Sequence, residues 1–287
     1  MAWADLSDCR CYYEIRGEGE PLLLVPGLGG TCRNWDPIVE ELSRDFSLIL
    51  FDNRGMGKSL AKRQARDLRH LAADLVELLD HLQVDRCHVM GISLGGIIAQ
   101  RLAMEHPSRI DRLVLVSCTD SFSPYLRQIS LLLAHALRKF SPESFIRTVE
   151  LLGTAPEFLD SHAAEVERQI RAKTAAGFSK RALAGQLRCL ACSDRSHHDP
   201  IITNPTLVLA GEHDALIPNC YARQMAGRIP GSEFKVLSGA GHNPFCECPE
   251  RALPPVIQFL SPDRGTRFAE GKVDEPELIN AGGAEAF

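Results

Sequence analysis

The sequence predicts an α/β fold: a mostly parallel, twisted sheet with helices on both faces and an all-helical insertion. Through most of the chain, short apolar runs alternate with helical patterns, which is typical of a parallel sheet covered by helices. The alternation stops between residues 120 and 196, where helical patterns follow one another with no convincing strand between them. A serine flanked by glycines, in Gly91–Gly95, separates a buried run from a helical one.

The composition favours either one globular domain with an insertion or two modest lobes. The chain has 287 residues, of which 45% are hydrophobic, and a formal net charge of -5. A chain of this length buries roughly three-quarters of its unfolded surface. The charge is mildly acidic and no stripe of Lys and Arg is present, so we expect no nucleic-acid partner.

The first part of the chain is predicted to form the opening strands of the sheet. Cys11–Arg16 and Pro21–Val25 are predicted to pair as a hairpin around a Gly-Glu-Gly turn. The elements predicted to follow are a helix near Asp36–Ser43, a strand at Phe46–Phe51, a helix at about Leu68–Leu82 and a strand at Arg86–Met90.

The helices and strands after the serine are predicted from the same kinds of pattern. Leu94–Glu105 is predicted to be a helix that Pro107 ends, and the unbroken apolar run Leu113–Val116 predicts a fully buried strand. Helices of the insertion are predicted at Arg127–Phe140, Pro142–Leu152, Ala163–Ala175 and Lys180–Leu190. The last elements are predicted at Pro205–Ala210 (strand), Asn219–Ile229 (helix), Glu233–Leu237 (strand) and Pro249–Phe259 (helix).

These patterns divide the chain into four segments. Residues 1–119 and 197–260 are predicted to form the core, and residues 120–196 a helical cap. Residues 261–287 are polar, charged and glycine-rich, and we expect a flexible tail because they hold too few apolar groups to offset the entropy of ordering.

Location and cofactors are predicted from features that the sequence lacks. It has no run of about 18 apolar residues, and its first residues lack the order of a signal peptide, so we expect a cytoplasmic protein with no membrane partner. Its 10 cysteines are expected to be reduced. The closely spaced pair Cys189 and Cys192 lies near His197 and His198, but no two cysteine pairs have zinc-ribbon spacing. We therefore expect neither a metal nor another cofactor.

The segment Gly-Ile-Ser-Leu-Gly around Ser93 has the spacing of a nucleophile elbow. A strand that turns sharply into a helix forces the serine into a strained backbone conformation, so its close neighbours must be glycines. The turn exposes Ser93 Oγ and directs the Leu94 N–H toward the same point, where it can bind an oxyanion. An ordinary Gly/Ser loop has a similar composition, so the surrounding residues must decide between the two interpretations.

A serine nucleophile needs a base and a carboxylate that orients it. Asp214 and His242 each follow a predicted strand, at the end of the sheet where α/β proteins place their sites. Asp120, just past the Leu113–Val116 strand, is an alternative carboxylate. The chain order Ser93, Asp214, His242 matches that of serine hydrolases with an α/β sheet.

Five motifs in this order make the chain resemble the α/β-hydrolase fold family, over about residues 11 to 260. They are Leu-Leu-Val-Pro-Gly-Leu-Gly-Gly from Leu23, Phe-Asp-Asn-Arg-Gly-Met-Gly-Lys-Ser from Phe51, the elbow, Gly-Glu-His-Asp from Gly211 and Gly-Ala-Gly-His from Gly239.

The resemblance implies a role for each site residue. Ser93 would be the nucleophile, His242 the general base and then acid, and Asp214 the orienting carboxylate, with the N–H groups of Leu28 and Leu94 forming the oxyanion hole. The family usually has His-Gly where this chain has Pro-Gly at residues 26 and 27, which leaves the Leu28 donor in place but puts the geometry of the hole in question.

The resemblance is nearest to the enol-lactonase and small esterase group, so we expect a small-molecule ester or lactone substrate that forms an acyl-serine. Four mostly apolar positions are predicted to line its pocket: Trp35, Phe122, Leu126 and Phe245. Three alternatives remain open at this point: hydrolysis of a carbon–carbon bond in a vinylogous diketone, acyl transfer, and a ligand sensor that keeps the fold without turnover.

Overall fold

The computed structural model describes residues 2–191 and 201–261, which are organised around one mixed sheet of nine strands. The strands are Ala2–Asp5 (β1), Cys9–Arg16 (β2), Glu20–Val25 (β3), Phe46–Phe51 (β4), Leu60–Ala61 (β5), Cys87–Ile92 (β6), Ile110–Val116 (β7), Thr206–Gly211 (β8) and Glu233–Leu237 (β9). Their spatial order is β1-β2-β4-β3-β6-β7-β8-β9, with β5 beside β2. All neighbours from β4 to β9 are parallel, and the β1, β2 and β5 pairings are antiparallel.

Helices connect most of these strands. Within the described ranges they are Asp36–Leu42 (α1), Leu68–His81 (α2), Leu94–Glu105 (α3), Pro124–Lys139 (α4), Pro142–Gly153 (α5), Pro156–Ser161 (α6), Ala163–Ala176 (α7), Lys180–Ala191 (α8), Asn219–Ala226 (α9), Pro244–Glu247 (α10) and Pro249–Leu260 (α11). Short 3-10 turns lie at Cys32–Trp35 and Pro107–Arg109. No helix among the described residues is both long enough and apolar enough to cross a membrane.

The central strands are buried on both faces because apolar side chains occupy both sets of alternating positions. In β3, Leu22 and Leu24 face one core layer, and Leu23 and Val25 face the other. Helices α2, α3 and α9 cover the second layer, and α1, α10 and α11 cover the first. The predicted fold class, a mostly parallel sheet between two layers of helices, is confirmed.

Helices α4 to α8 lie between β7 and β8 in the chain, and we call residues 120–191 the helical insertion. Their apolar faces form a third cluster, which also includes Leu216 and Ile217 from the loop after β8. Residues 192–196 of the predicted cap, His197, His198 and residues 262–287 of the predicted tail lie outside the described residues.

The predicted opening hairpin is wrong. β2 and β3 do not pair with each other, because β4 lies between them, antiparallel to β2 and parallel to β3. The Gly-Glu-Gly turn packs against the start of β4 instead, where a Cβ at Gly19 would lie 2.5 Å from the Asp45 carbonyl oxygen. The physical reason lies in β4, which is apolar on both faces and is therefore more stable inside the sheet than at its edge.

Candidate active site

Ser93 occupies the sharp turn between β6 and α3. Its backbone has φ 57° and ψ −126°, a left-handed conformation that a residue with a side chain rarely adopts. The close approach of strand and helix explains the two glycines: a Cβ at Gly91 would lie 2.5 Å from the Gly95 carbonyl oxygen, and one at Gly95 would overlap the Val25 carbonyl. The Ser93 N–H donates to Val116 O at 2.9 Å, which fixes the turn against the end of β7.

The loop after β3, residues 26–30, passes beside the Ser93 side chain. A Cβ at Gly27 would lie 3.2 Å from Ser93 Cβ and 3.8 Å from its Oγ. Asn53 holds this loop, since its Nδ2 donates to Gly27 O at 2.9 Å and Pro26 O at 3.2 Å, and its N–H donates to Gly30 O at 3.1 Å. These hydrogen bonds fix the shape of the loop, although its first residue is Pro26 where the family usually has histidine.

Asp214 and His242 are brought together at the ends of β8 and β9. Asp214 Oδ2 lies 2.7 Å from His242 Nδ1, and Asp214 Oδ1 accepts from the N–H groups of Leu216 and Ile217, both at 2.9 Å. The buried carboxylate is thus held by two backbone donors and places its other oxygen on the ring. When Nδ1 carries the proton that Asp214 accepts, Nε2 is left as the basic nitrogen.

Burial and charge act in opposite directions on the pKa of His242. Burial disfavours the charged ring and by itself lowers the pKa, but the charge and hydrogen bond of Asp214 raise it, and the carboxylates of Glu247 and Glu150 add to this. The net result is a pKa above the ordinary value of 6.5.

The loop that carries His242 is attached to the helical insertion. The His242 N–H donates to Gly153 O at 2.5 Å, and Glu247 Oε2 accepts from the N–H groups of Ala155 at 3.0 Å and Gly241 at 2.9 Å. Burial raises the pKa of Glu247, although these backbone donors oppose the shift by stabilising the carboxylate. Glu247 therefore bridges the end of α5 and the histidine loop.

The alternative carboxylate, Asp120, has a different partner. Its Oδ1 lies 2.6 Å from Nη1 of Arg228, just after α9. Of the two candidate carboxylates, Asp214 is the one that the structure places against His242.

The four predicted pocket residues divide into two groups. Phe122 and Leu126 lie in the cluster formed by the helical insertion and the loop after β8. Trp35 and Phe245 pack together in the core layer between the sheet and helices α1, α10 and α11, with ring centroids 6.2 Å apart. We therefore leave Trp35 and Phe245 out of the proposed pocket.

Two residues of this region were not predicted from the sequence. Glu247 follows His242 by five positions, but nothing in the local sequence pattern indicates that its carboxylate accepts hydrogen bonds from the histidine loop. Gln186 of α8 accepts a hydrogen bond from the Gly29 N–H at 2.7 Å, across 157 positions of sequence, so only the folded chain reveals it. Among the described residues, no group of three or more His, Cys, Asp or Glu side chains could hold a metal ion.

The chain is similar in sequence to known proteins. Residues 20–249 match the family model described as alpha/beta hydrolase fold. The chain is 26% identical over 254 residues to the Caulobacter vibrioides protein named "Putative carbamate hydrolase RutD", covering 87% of this chain and 94% of that protein.

Solved structures show the same likeness. A hydrolase from Pseudomonas aeruginosa PA01 is 30% identical, with a TM-score of 0.80 over 90% of this chain and 97% of the other. The enol-lactonase from Burkholderia xenovorans LB400 is 24% identical, with a TM-score of 0.81 over 91% of this chain and 100% of that one, and shares the fold. The family match spans well over half of the sequence. The chain therefore belongs to the α/β-hydrolase fold family and is an enzyme of the hydrolase class.

Proposed function

We propose that this enzyme hydrolyses a small or medium carboxylic ester or lactone through an acyl-serine intermediate. The observation that carries the proposal is the contact of 2.7 Å between Asp214 and His242, at the edge of the sheet where Ser93 occupies its strained turn. A carboxylate, an imidazole and a serine hydroxyl in these positions are the groups that acyl transfer to water requires.

In the proposed first half-reaction, Ser93 Oγ attacks the carbonyl carbon while His242 Nε2 takes the hydroxyl proton. The N–H groups of Leu28 and Leu94 stabilise the negative charge that develops on the carbonyl oxygen. The carbon–oxygen bond to the leaving group then breaks, and His242 returns its proton to the departing alkoxide. In a lactone, the new hydroxyl stays attached to the acyl group.

In the second half-reaction, His242 takes a proton from water, and the resulting hydroxide attacks the acyl-serine carbonyl. When the bond to Ser93 Oγ breaks, His242 returns its proton to Oγ, which restores the serine hydroxyl and releases the carboxylic acid. Asp214, which is hydrogen-bonded to Nδ1, stabilises the imidazolium that forms in each half.

We propose that the helical insertion acts as a cap that selects the substrate. Phe122 and Leu126 belong to the same apolar cluster as Leu216 and Ile217, which the Asp214 carboxylate holds by their N–H groups. Apolar walls beside the reacting groups favour a substrate with an apolar portion. One relative is named "Putative carbamate hydrolase RutD", and one solved structure is that of an enol-lactonase. Carbamates and lactones both have a carbonyl carbon bonded to a heteroatom, which supports this chemistry.

The test is a substrate panel combined with detection of the acyl-enzyme. We expect turnover of p-nitrophenyl acetate and butyrate or of simple lactones, and mass spectrometry of rapidly quenched samples should find the acyl group on the peptide that contains Ser93. Faster cleavage of a vinylogous diketone acid or a carbamate than of every ester and lactone would contradict the substrate class. Tight ligand binding without acylation would contradict the enzymatic proposal and favour a sensor.

The geometry also predicts a pH dependence. Because the base must be neutral to accept a proton and its pKa is raised, kcat/KM should decline on the acid side as His242 becomes protonated. Replacing Glu247 with Gln keeps an oxygen that can accept from Ala155 and Gly241 but removes a negative charge that raises the pKa. We expect the acid limb of the kcat/KM profile to move to lower pH in Glu247→Gln.

Glu250→Gln is the matched control, since this exposed carboxylate pairs with Arg251 on α11. Its acid limb should coincide with that of the unmodified enzyme. An acid limb that stays in place in Glu247→Gln, or moves to higher pH, would show that Glu247 does not act on the base through its charge.

A further inference from the structure

The side chain of Gln186 is buried between the helical insertion and the loop of residues 26–30, with only 1% of its surface exposed. Its Oε1 accepts from the Gly29 N–H at 2.7 Å. Leu183 and Leu187, on the same helix, belong to the apolar cluster of the insertion, against which Leu28 also packs. A polar amide thus projects from an apolar helix face toward the loop that is proposed to stabilise the oxyanion.

The hydrogen bond to Gly29 determines how the Gln186 amide is oriented. A backbone N–H needs an acceptor, so the amide oxygen faces Gly29 and the amide nitrogen faces away. That nitrogen is buried and has no hydrogen-bond partner among the described residues. A buried N–H group without an acceptor is unfavourable, and in native proteins it calls for an explanation.

Fixing the loop does not explain the choice of glutamine, because only the oxygen is needed to hold Gly29. The nitrogen is bonded to the same carbon as that oxygen, so it lies close to the loop whose Gly27 borders the Ser93 side chain. A bound substrate can supply the missing acceptor at this place.

We propose that Gln186 Nε2 donates a hydrogen bond to a second acceptor atom of the substrate, close to the carbonyl group that is cleaved. This inference rests on the proposed function and narrows it. The preferred ester or lactone carries a further oxygen within a few bonds of that carbonyl. Gln186 is then a specificity-determining residue, because a substrate without the oxygen leaves a buried donor unpaired.

The test compares substrates that differ by one methylene group replaced by oxygen. p-Nitrophenyl butyrate and p-nitrophenyl methoxyacetate form the pair for the acyl side, and butyl acetate and 2-methoxyethyl acetate the pair for the alcohol side. For each pair, the ratio of kcat/KM values is measured in the unmodified enzyme and in Gln186→Met. Differences in intrinsic reactivity cancel when the two ratios are compared.

In at least one pair, we expect the preference for the oxygen-containing substrate to fall about tenfold in Gln186→Met. Gln64→Met is the control, because Gln64 contacts the same helix α8 at Gly185, where a Cβ would lie 3.5 Å from Gln64 Oε1. Its ratios should match those of the unmodified enzyme. Equal losses for both members of both pairs would overturn the proposal and leave Gln186 as an anchor of the loop.

A second measurement needs no variant, so it tests the proposal even if Gln186→Met fails to fold. The kcat/KM ratio of each pair in the unmodified enzyme is divided by the ratio of the hydroxide-catalysed rates. A quotient well above one in either pair supports the proposal, and quotients near one in both overturn it. A complete absence of turnover and of acylation with all four esters would instead count against the proposed function on which the inference rests.

Discussion

Replacing Ser93 with alanine is expected to lower kcat for p-nitrophenyl butyrate by a factor of about 10⁴ to 10⁶. Alanine removes the oxygen that forms the acyl-enzyme, and no neighbouring group can take its place in the proposed mechanism. The backbone should tolerate the change, because alanine and serine are similarly strained at a φ of 57°. The variant should therefore keep its circular dichroism spectrum and thermal midpoint.

Ser117→Ala provides the matched control. Ser117 is also a serine with left-handed backbone, at φ 47°, and it directly follows β7. Its side chain is fully buried and its Oγ has no hydrogen-bond partner among the described residues. We expect Ser117→Ala to keep activity near that of the unmodified enzyme. Substantial turnover in Ser93→Ala that scales with enzyme concentration would rule out this serine as the nucleophile.

The second large effect is expected from Asp214→Asn, with a fall in kcat of about 10⁴-fold. The amide has nearly the same shape but no charge, so it cannot stabilise the imidazolium that forms when His242 accepts a proton. It can also donate to Nδ1, which favours the tautomer in which Nε2 carries the proton and cannot act as a base. Rapid-quench and steady-state assays with p-nitrophenyl butyrate would measure the loss in each half-reaction.

Asp120→Asn separates the two candidate carboxylates. It makes the same chemical change at another buried aspartate, which pairs with Arg228 rather than His242. We expect Asp120→Asn to lower the thermal midpoint, since it weakens an ion pair between a buried carboxylate and a half-exposed arginine, and to reduce kcat by less than about tenfold. If Asp120→Asn lost most of the activity and Asp214→Asn kept it, the assignment of the carboxylate would be reversed.

Much of the fold follows from patterns that local residues create. β4 and α3 have the predicted bounds, and β7 contains the predicted Leu113–Val116 run and extends it at its start. The predictions failed where an element was too short for its pattern to emerge, as with the two residues of β5 and the four of α10. Strand order failed for another reason: adjacency in the chain suggested a hairpin, whereas burial on both faces places β4 between β2 and β3.

In the candidate site, too, some features could be predicted from the sequence and others could not. The turn at Ser93 could be predicted because a strained backbone and close packing select glycine at two nearby positions. The prediction that Trp35 and Phe245 line the pocket could not be tested from the sequence, since their burial in the core depends on how α1 and α10 pack on the sheet.

By itself, the sequence determined the alternation of strands and helices, the turn at Ser93 and the order in which the candidate residues follow one another. These features depend on backbone conformation and on the periodicity of neighbouring side chains, which are local properties. Only the tertiary structure decided that Asp214 rather than Asp120 meets His242, that Glu247 joins the histidine loop to the helical insertion, and that Gln186 reaches Gly29. Each of these contacts joins side chains or loops from separate elements, and their distances are set by the packing of whole helices and strands rather than by spacing along the chain.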